Sequence, residues 1–230
     1  MSSSKSNTKK NRSEDIFNIL QSRILSWEYQ PGHRLKEDEL CREFDVSRIP
    51  IREALSRLSQ IHLVERKAHV GCSVKRWTLE EINELYEFRV ALETYVVEAL
   101  AQKEDPIAEL KELKKEWQGY LTETDDTSFA QKNWSTRDEH FHETLAAALG
   151  NQQILNSLQD VNSRLRFLRV QDITTQEVLT KSSKQHISII NAIRRSDDES
   201  AKKLMRTNIQ MGKGNVKSAL QQVLMRSYED

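Results

Sequence analysis

In the stretch KEDELCREFDVSRIPIREALSRLSQ, from Lys36 to Gln60, two short helices meet at a tight connection. Leu40 and Phe44 close the apolar face of the first. Ile51, Ala54, Leu55 and Leu58 recur at i, i+3, i+4 and i+7 and form one face of the second. Val46 fills the bend, and Ser47 stands where a helix N-cap belongs. Pro50 lacks an N–H and is tolerated only within a first helical turn. Arg48 and Arg52 lie four apart and point off the apolar face. Two guanidiniums at the exposed start of the second helix are how a helix-turn-helix offers a recognition helix to base edges and phosphates. An amphipathic hairpin with solvated arginines has the same spacing.

Outside this stretch, composition bounds the answer. The chain has 230 residues, enough for one large or two modest domains, each with its own core. Its net charge is zero, but Met1 to Arg76 carries 15 Lys plus Arg against 10 Asp plus Glu, a net of +5 that the remainder offsets. A basic front on a neutral chain points to a polyanionic partner for that part alone. Cys41 and Cys72 fit no metal spacing and no disulfide framework, as expected in a reducing cytosol. No apolar run approaches about 18 residues and no signal peptide opens the chain, so a soluble, intracellular, cytoplasmic protein with no membrane partner is expected.

Residues 1–12, MSSSKSNTKKNR, have almost nothing to bury and read as a disordered basic tail. A first helix follows from about Ser13 to Trp27, with Ile16, Ile19, Leu20 and Ile24 on one face. Pro31-Gly32 makes a turn in which glycine supplies a positive φ. Beyond the central stretch, Leu63–Arg66 and Ser73–Arg76 read as two strands around Lys67–Gly71, a basic β-hairpin with Gly71 at its bend.

With these parts in place the sequence resembles the GntR family of bacterial transcription regulators. The resemblance is carried by Pro31-Gly32-His33-Arg34-Leu35, Glu39-Leu40, Val46 to Leu55, Leu63-Val64 and Gly71. It implies a winged helix-turn-helix over residues 13–76 that binds a palindromic operator as a homodimer. It assigns DNA contacts to Arg48 and Arg52 with Ser47 and Ile49 beside them, and sends the wing tip near His69 and Gly71 into the minor groove. Two positions depart from the family pattern: His62 stands where many members have glycine, and Asp38 where an arginine often contacts phosphate.

Thr78-Leu79-Glu80-Glu81 is a capping box that opens a long helix and puts the domain boundary near Arg76-Trp77. Residues 77–230 read as an antiparallel all-α bundle of about six helices, near 79–102, 107–123, 128–149, 151–171, 175–195 and 198–225. Gly212 and Gly214 interrupt the last of them. The chain as a whole is thus expected to be mainly α, a winged helix-turn-helix followed by a helical bundle.

Polar residues fall on the apolar faces of these helices. Arg89 sits in the stripe Ile82, Leu85, Leu92, Val96; Asp138 and His142 sit with Trp134, Phe141 and Leu145; His186 sits with Leu179, Ile189, Ile190 and Ile193; Asn208 sits with Leu204, Met205 and Met211. Buried charges need partners, and side chains converging from four helices would line a polar cavity. Asp138 and His142 at i, i+4 can reach one cation, which His186 would complete to three protein ligands. The pattern fits equally an Asp138–His142 pair beside a satisfied core histidine. Arg164, Arg166 and Arg169 crowd the fourth helix of the bundle; one of them could face the pocket, but periodicity does not choose, and surface positions are the first reading for all three.

Asp138-x3-His142, then His186, then Ala201-x3-Met205-x2-Asn208 is similar to the FCD ligand-binding domain of the FadR subgroup, over residues 79–222. That resemblance implies one divalent metal, zinc or similar, held by Asp138, His142 and His186. The family's fourth ligand, a histidine, is here Asn208, whose neutral amide oxygen is a poor zinc ligand. It also implies a small organic acid as effector, with Arg89 in Arg-x2-Leu-Glu binding its carboxylate and Asn208 beside it. The combined reading is a metabolite-responsive DNA-binding repressor. The rival is a metal-dependent hydrolase built on Asp138, His142 and His186, which leaves the basic winged segment without a purpose.

Overall fold

The computed structural model describes residues 4–67, 71–103, 108–122, 127–169 and 176–226. The chain divides into two compact units, Met1–Thr78 and Leu79–Asp230, just beyond the boundary expected at Arg76-Trp77.

The first unit holds α1 (Ser4–Leu25), β1 (Arg34–Leu35), α2 (Glu37–Glu43), α3 (Arg48–Gln60), β2 (Val64–Lys67) and β3 (Gly71–Val74). Ile16, Leu20 and Ile24 of α1 meet Leu40 of α2 and Ile51, Ala54, Leu55 and Leu58 of α3, all buried. Ile19 is exposed; the buried face of α1 follows a strict four-residue step that passes it by. The tail expected to be disordered is helical from Ser4. Once packing has nucleated α1, a run without Pro or Gly extends it at little cost.

The wing is a three-stranded antiparallel sheet of order β1-β3-β2. Arg34 pairs with Ser73 and Leu35 with Cys72, so a two-residue strand lies where the sequence showed only a turn and a motif. Lys67 pairs with Gly71, so β3 begins earlier than expected and includes the bend glycine. Two positive-φ residues are confirmed in their roles: Gly32 (φ +86°) in the Pro31 turn and Gly71 (φ +100°) at the hairpin. His62, the residue standing for glycine, is also left-handed (φ 57°).

The second unit is, among the described residues, six helices: α4 (Leu79–Ala101), α5 (Ala108–Thr122), α6 (Thr127–Leu149), α7 (Gln152–Arg169), α8 (Gln176–Arg194) and α9 (Asp198–Arg226). α4 packs most extensively on α9, and α8 bridges α9 and α5. α9 runs unbroken through Gly212 and Gly214. A mid-helix glycine loses about 1 kcal/mol against alanine. Here Gly212 lies under the Tyr86 ring, and the long contact with α4 offsets that loss. None of the described helices is long and apolar enough to cross a membrane.

A Cβ on Gly32 would lie 2.1 Å from Arg76 Nε, in a backbone conformation that L-residues rarely adopt. Gly32→Ala should therefore destabilise the first unit by about 1–3 kcal/mol, read as a lowered denaturation midpoint.

Candidate effector site and nucleic-acid interface

The second unit encloses a cavity of about 50 Å³ between α4, α6, α7, α8 and α9. That is far below the roughly 300 Å³ of a small drug-sized pocket, which favours a small occupant. Arg89, Asp138, His142 and Asn208 all line it. His186 lies immediately behind, fully buried, stacked on Phe141 (ring centroids 3.9 Å apart) and edge-on to Trp117.

The polar residues form a chain. Arg89 Nε donates to Glu93 Oε1 at 2.7 Å, one helical turn along α4, with both side chains 2% exposed. The other Glu93 oxygen pairs with His142 Nδ1. His142 Nε2 then faces Asp138 Oδ2 at 3.7 Å, and Asp138 Oδ1 faces His186 Nε2 at 3.5 Å. Burial alone would push Asp138 up, but His142, His186 and Arg89 hold its carboxyl well below the ordinary range. Burial pulls His142 down, yet Glu93 and Asp138 outweigh it and raise the imidazole to about 9. At His186 burial outweighs the pull of Asp138 and Glu93 and drives the imidazole down to about 3.

This arrangement fits a divalent cation. Asp138, His142 and His186 each offer one ligand atom, all within 4.8 Å of one another. Glu93 at Nδ1 orients His142 and turns Nε2 inward, the supporting contact that metal-binding histidines use. Both nitrogens of His186 lack hydrogen-bond partners among the described residues. Asn208 Nδ2 donates to Gln185 Oε1 at 3.1 Å, so its carbonyl oxygen is the donor atom left for a cation.

Sequence reading missed two members of the site. Glu93 was legible, lying at i+4 from Arg89 in the quoted motif. Arg169, read as a surface residue, lines the cavity with its side chain 8% exposed. Its Nη1 lies 3.8 Å from Asp138 and 3.9 Å from Glu139. Glu139 is already held by Arg166 at 2.7 Å. Periodicity could not choose among three arginines on one helix; the buried Asn162, which accepts from Arg169 at 3.5 Å, settles which one turns inward. Arg89 Nη2 and Arg169 Nη2 are both buried without an acceptor among the described residues. An unmet buried donor costs about 1–3 kcal/mol, more when charged, so the cavity is short of acceptors.

In the first unit, Ser47, Arg48, Ile49 and Arg52 are exposed at the start of α3. Ser47 occupies the N-cap position, but its side chain makes no capping hydrogen bond. Ile49 is 59% exposed, an apolar group of the kind that meets a thymine methyl. Arg48 pairs with Asp38 and Arg52 with Glu37, each at 2.8 Å. Such exposed pairs are weak and exchange readily for phosphates. Arg66 Nη2 donates to the Arg52 carbonyl at 3.2 Å, tying the wing to α3. Arg34, Lys36, Arg66 and Lys67 line a groove beside Gly71 that sequence reading had not assembled. His69 lies outside the described residues.

Residues 12–74 match the family described as bacterial regulatory proteins, gntR family, and residues 84–211 match the FCD domain. The chain belongs to the GntR family of bacterial transcription regulators. A gluconate operon transcriptional repressor of Bacillus licheniformis is 30% identical to this GntR regulator over 91% of this chain and 88% of that one. An uncharacterized HTH-type transcriptional regulator, YdhC of Bacillus subtilis, is 28% identical over 81% and 83%. A GntR structure from Rhodococcus sp. RHA1 superposes with a TM-score of 0.65, covering 91% of this chain and 99% of that one at 24% identity, a likeness of fold. GntR regulators bind DNA operators and FCD domains bind small-molecule effectors. They are regulators and not enzymes, which overturns the hydrolase reading of Asp138, His142 and His186.

Glu93→Gln leaves Arg89 buried without its counter-charge. The second unit should lose about 3–5 kcal/mol, measured by denaturant unfolding.

Proposed function

We propose that this chain is a metabolite-responsive repressor in the bacterial cytoplasm, binding a palindromic operator as a homodimer and released by a small carboxylate seated in the cavity. The observation that carries the effector half is the pair of buried, acceptor-poor guanidinium ends beside Asp138, His142 and His186. A carboxylate supplies two acceptor oxygens in the geometry a guanidinium matches. Arg89 is the principal anchor and Asn208 a polar contact opposite it. A divalent cation would be held by Asp138, His142 and His186, with Asn208 too weak a donor to complete a tight zinc site. When bound, the cation would supply a Lewis-acid contact for an effector oxygen. The relative named as a repressor supports the sign of regulation.

In the first unit, Arg48 and Arg52 read bases or their flanking phosphates, Ser47 and Ile49 sit against the same edge, and the wing around Gly71 and His69 enters the adjacent minor groove. The basic groove of Arg34, Arg66 and Lys67 supports that placement. By linkage, an effector that weakens operator binding is itself bound more weakly by the operator complex, by the same factor.

Selection from random duplexes should enrich one palindrome. Arg48→Ala and Arg52→Ala should each lose about 1–3 kcal/mol of preference for it over random duplex, measured in competition at physiological salt. An absence of enrichment would overturn the DNA-binding half. Separately, a screen of small carboxylates should find one that raises the melting temperature of the second unit and lowers operator affinity. Arg89→Lys, which keeps a charge against Glu93, should lose most of that shift because the bidentate fork is gone. A shift indifferent both to chelator and to added zinc would show that no metal takes part in binding.

A further inference from the structure

Among the described residues, Ile49 is the most exposed large apolar side chain, at 59%. It is the second residue of α3, and the helical repeat puts it close to the opposite side of that helix from the buried Ile51, Ala54, Leu55 and Leu58. It therefore stands at the centre of the face that α3 turns outward. Its neighbours on that face, Arg52, Glu53 and Ser56, are polar, so Ile49 is a single apolar group among charges rather than part of a patch that could seat a protein. Arg48 and Arg52 on either side are held in exposed ion pairs with Asp38 and Glu37. An isoleucine offers no hydrogen bond to a phosphate or to a base edge. The apolar group that a base presents in the major groove is the 5-methyl of thymine.

Resting on the reading of α3 as the recognition helix of an operator-binding unit, we infer that Ile49 selects a thymine in each half-site through its 5-methyl group. Cytosine carries only a hydrogen at that position of the ring, and a purine presents its N7, an acceptor that isoleucine leaves unpaired. Discrimination there comes from covering a methyl group and not from a hydrogen bond. Arg52 is a neighbour on the same helix surface at i+3, with Cβ atoms roughly 5–6 Å apart. Base pairs rise by roughly 3.4 Å, so the thymine lies within about two base-pair steps of the group that Arg52 meets.

The test uses the palindrome selected from random duplexes, resynthesised with each thymine in turn replaced by deoxyuridine. Deoxyuridine keeps every hydrogen-bonding group of thymine and lacks the methyl. Binding to the full chain is measured by competition at fixed salt. At one thymine position wild type should lose about fourfold in affinity when one half-site is altered and about fifteenfold when both are, the worth of one covered methyl per half-site. Ile49→Ser should bind the thymine and deoxyuridine duplexes equally, and Ile49→Val should keep part of the difference. Because the comparison is made within each protein, a general loss of affinity or stability does not imitate the effect. A selected half-site without thymine would overturn the inference and leave the proposed function standing, as would deoxyuridine duplexes that all bind wild type as tightly as their parent. So would a deoxyuridine loss that survives in Ile49→Ser, since another residue would then be reading the methyl. Enrichment of no palindrome would overturn the operator reading and this inference together.

Discussion

The second unit depends on keeping a guanidinium charged inside a helical bundle. Arg89 is about as buried as Tyr86 and Val96 on the same helix, and the fold tolerates it because Glu93 stands one turn further along. An i, i+4 pair is short-range and needs no help from tertiary structure, so the charge and its counter-charge enter the core together. The arrangement then propagates. Glu93 uses its second oxygen on His142, which leaves the other side of that ring to Asp138, and Asp138 turns to His186. Each residue is placed by the one before it. Burying such a chain is no route to stability, since well-packed apolar side chains would serve as well or better. On the proposed reading, it serves what the cavity binds.

The two units solve different electrostatic problems. In the first, the arginines at the start of α3 stand in water, and their pairs with Glu37 and Asp38 are loose partnerships between exposed side chains. Asp38 occupies a position that the family resemblance associates with a phosphate-contacting arginine. Here it instead pairs with Arg48, and on the proposed reading it would moderate the charge offered to a duplex. Such moderation favours readout of bases over indiscriminate attraction to the backbone. In the second unit the charges are locked away from water, where each interaction is stronger and each unpaired group more expensive.

Much of this was legible in the chain. The spacing of Ile51, Ala54, Leu55 and Leu58 fixes α3, and the inward faces of the bundle helices bring Arg89, Asp138, His142, His186 and Asn208 from four helices to one place. What was not legible had physical causes. A two-residue strand such as β1 has no periodicity of its own and exists only because β3 offers it an edge. The helical extension of α1 to Ser4 reflects propagation from a packed nucleus, which composition does not report. Arg169 was named but not singled out, because three arginines within six positions of an amphipathic helix look solvated. Only the tertiary partners Glu139 and Asn162 divide them into one that faces outward and one that faces in.

The polar chain also decides how the sensing unit can report its ligand. The buried Nη2 atoms of Arg89 and Arg169 have no acceptor among the described residues, which costs the domain stability. An occupant that supplies those acceptors binds the folded state and scarcely the unfolded one. Its binding energy therefore becomes folding stability in proportion to the logarithm of its concentration. The helices that contribute to the cavity are also the ones that make up the bundle's main contacts, α4 on α9 and α8 on both α9 and α5. On the proposed reading, an occupant would act on the packing of the whole unit rather than on a single loop. A sensor built in this way would, on that reading, carry its signal in the rigidity of its helices.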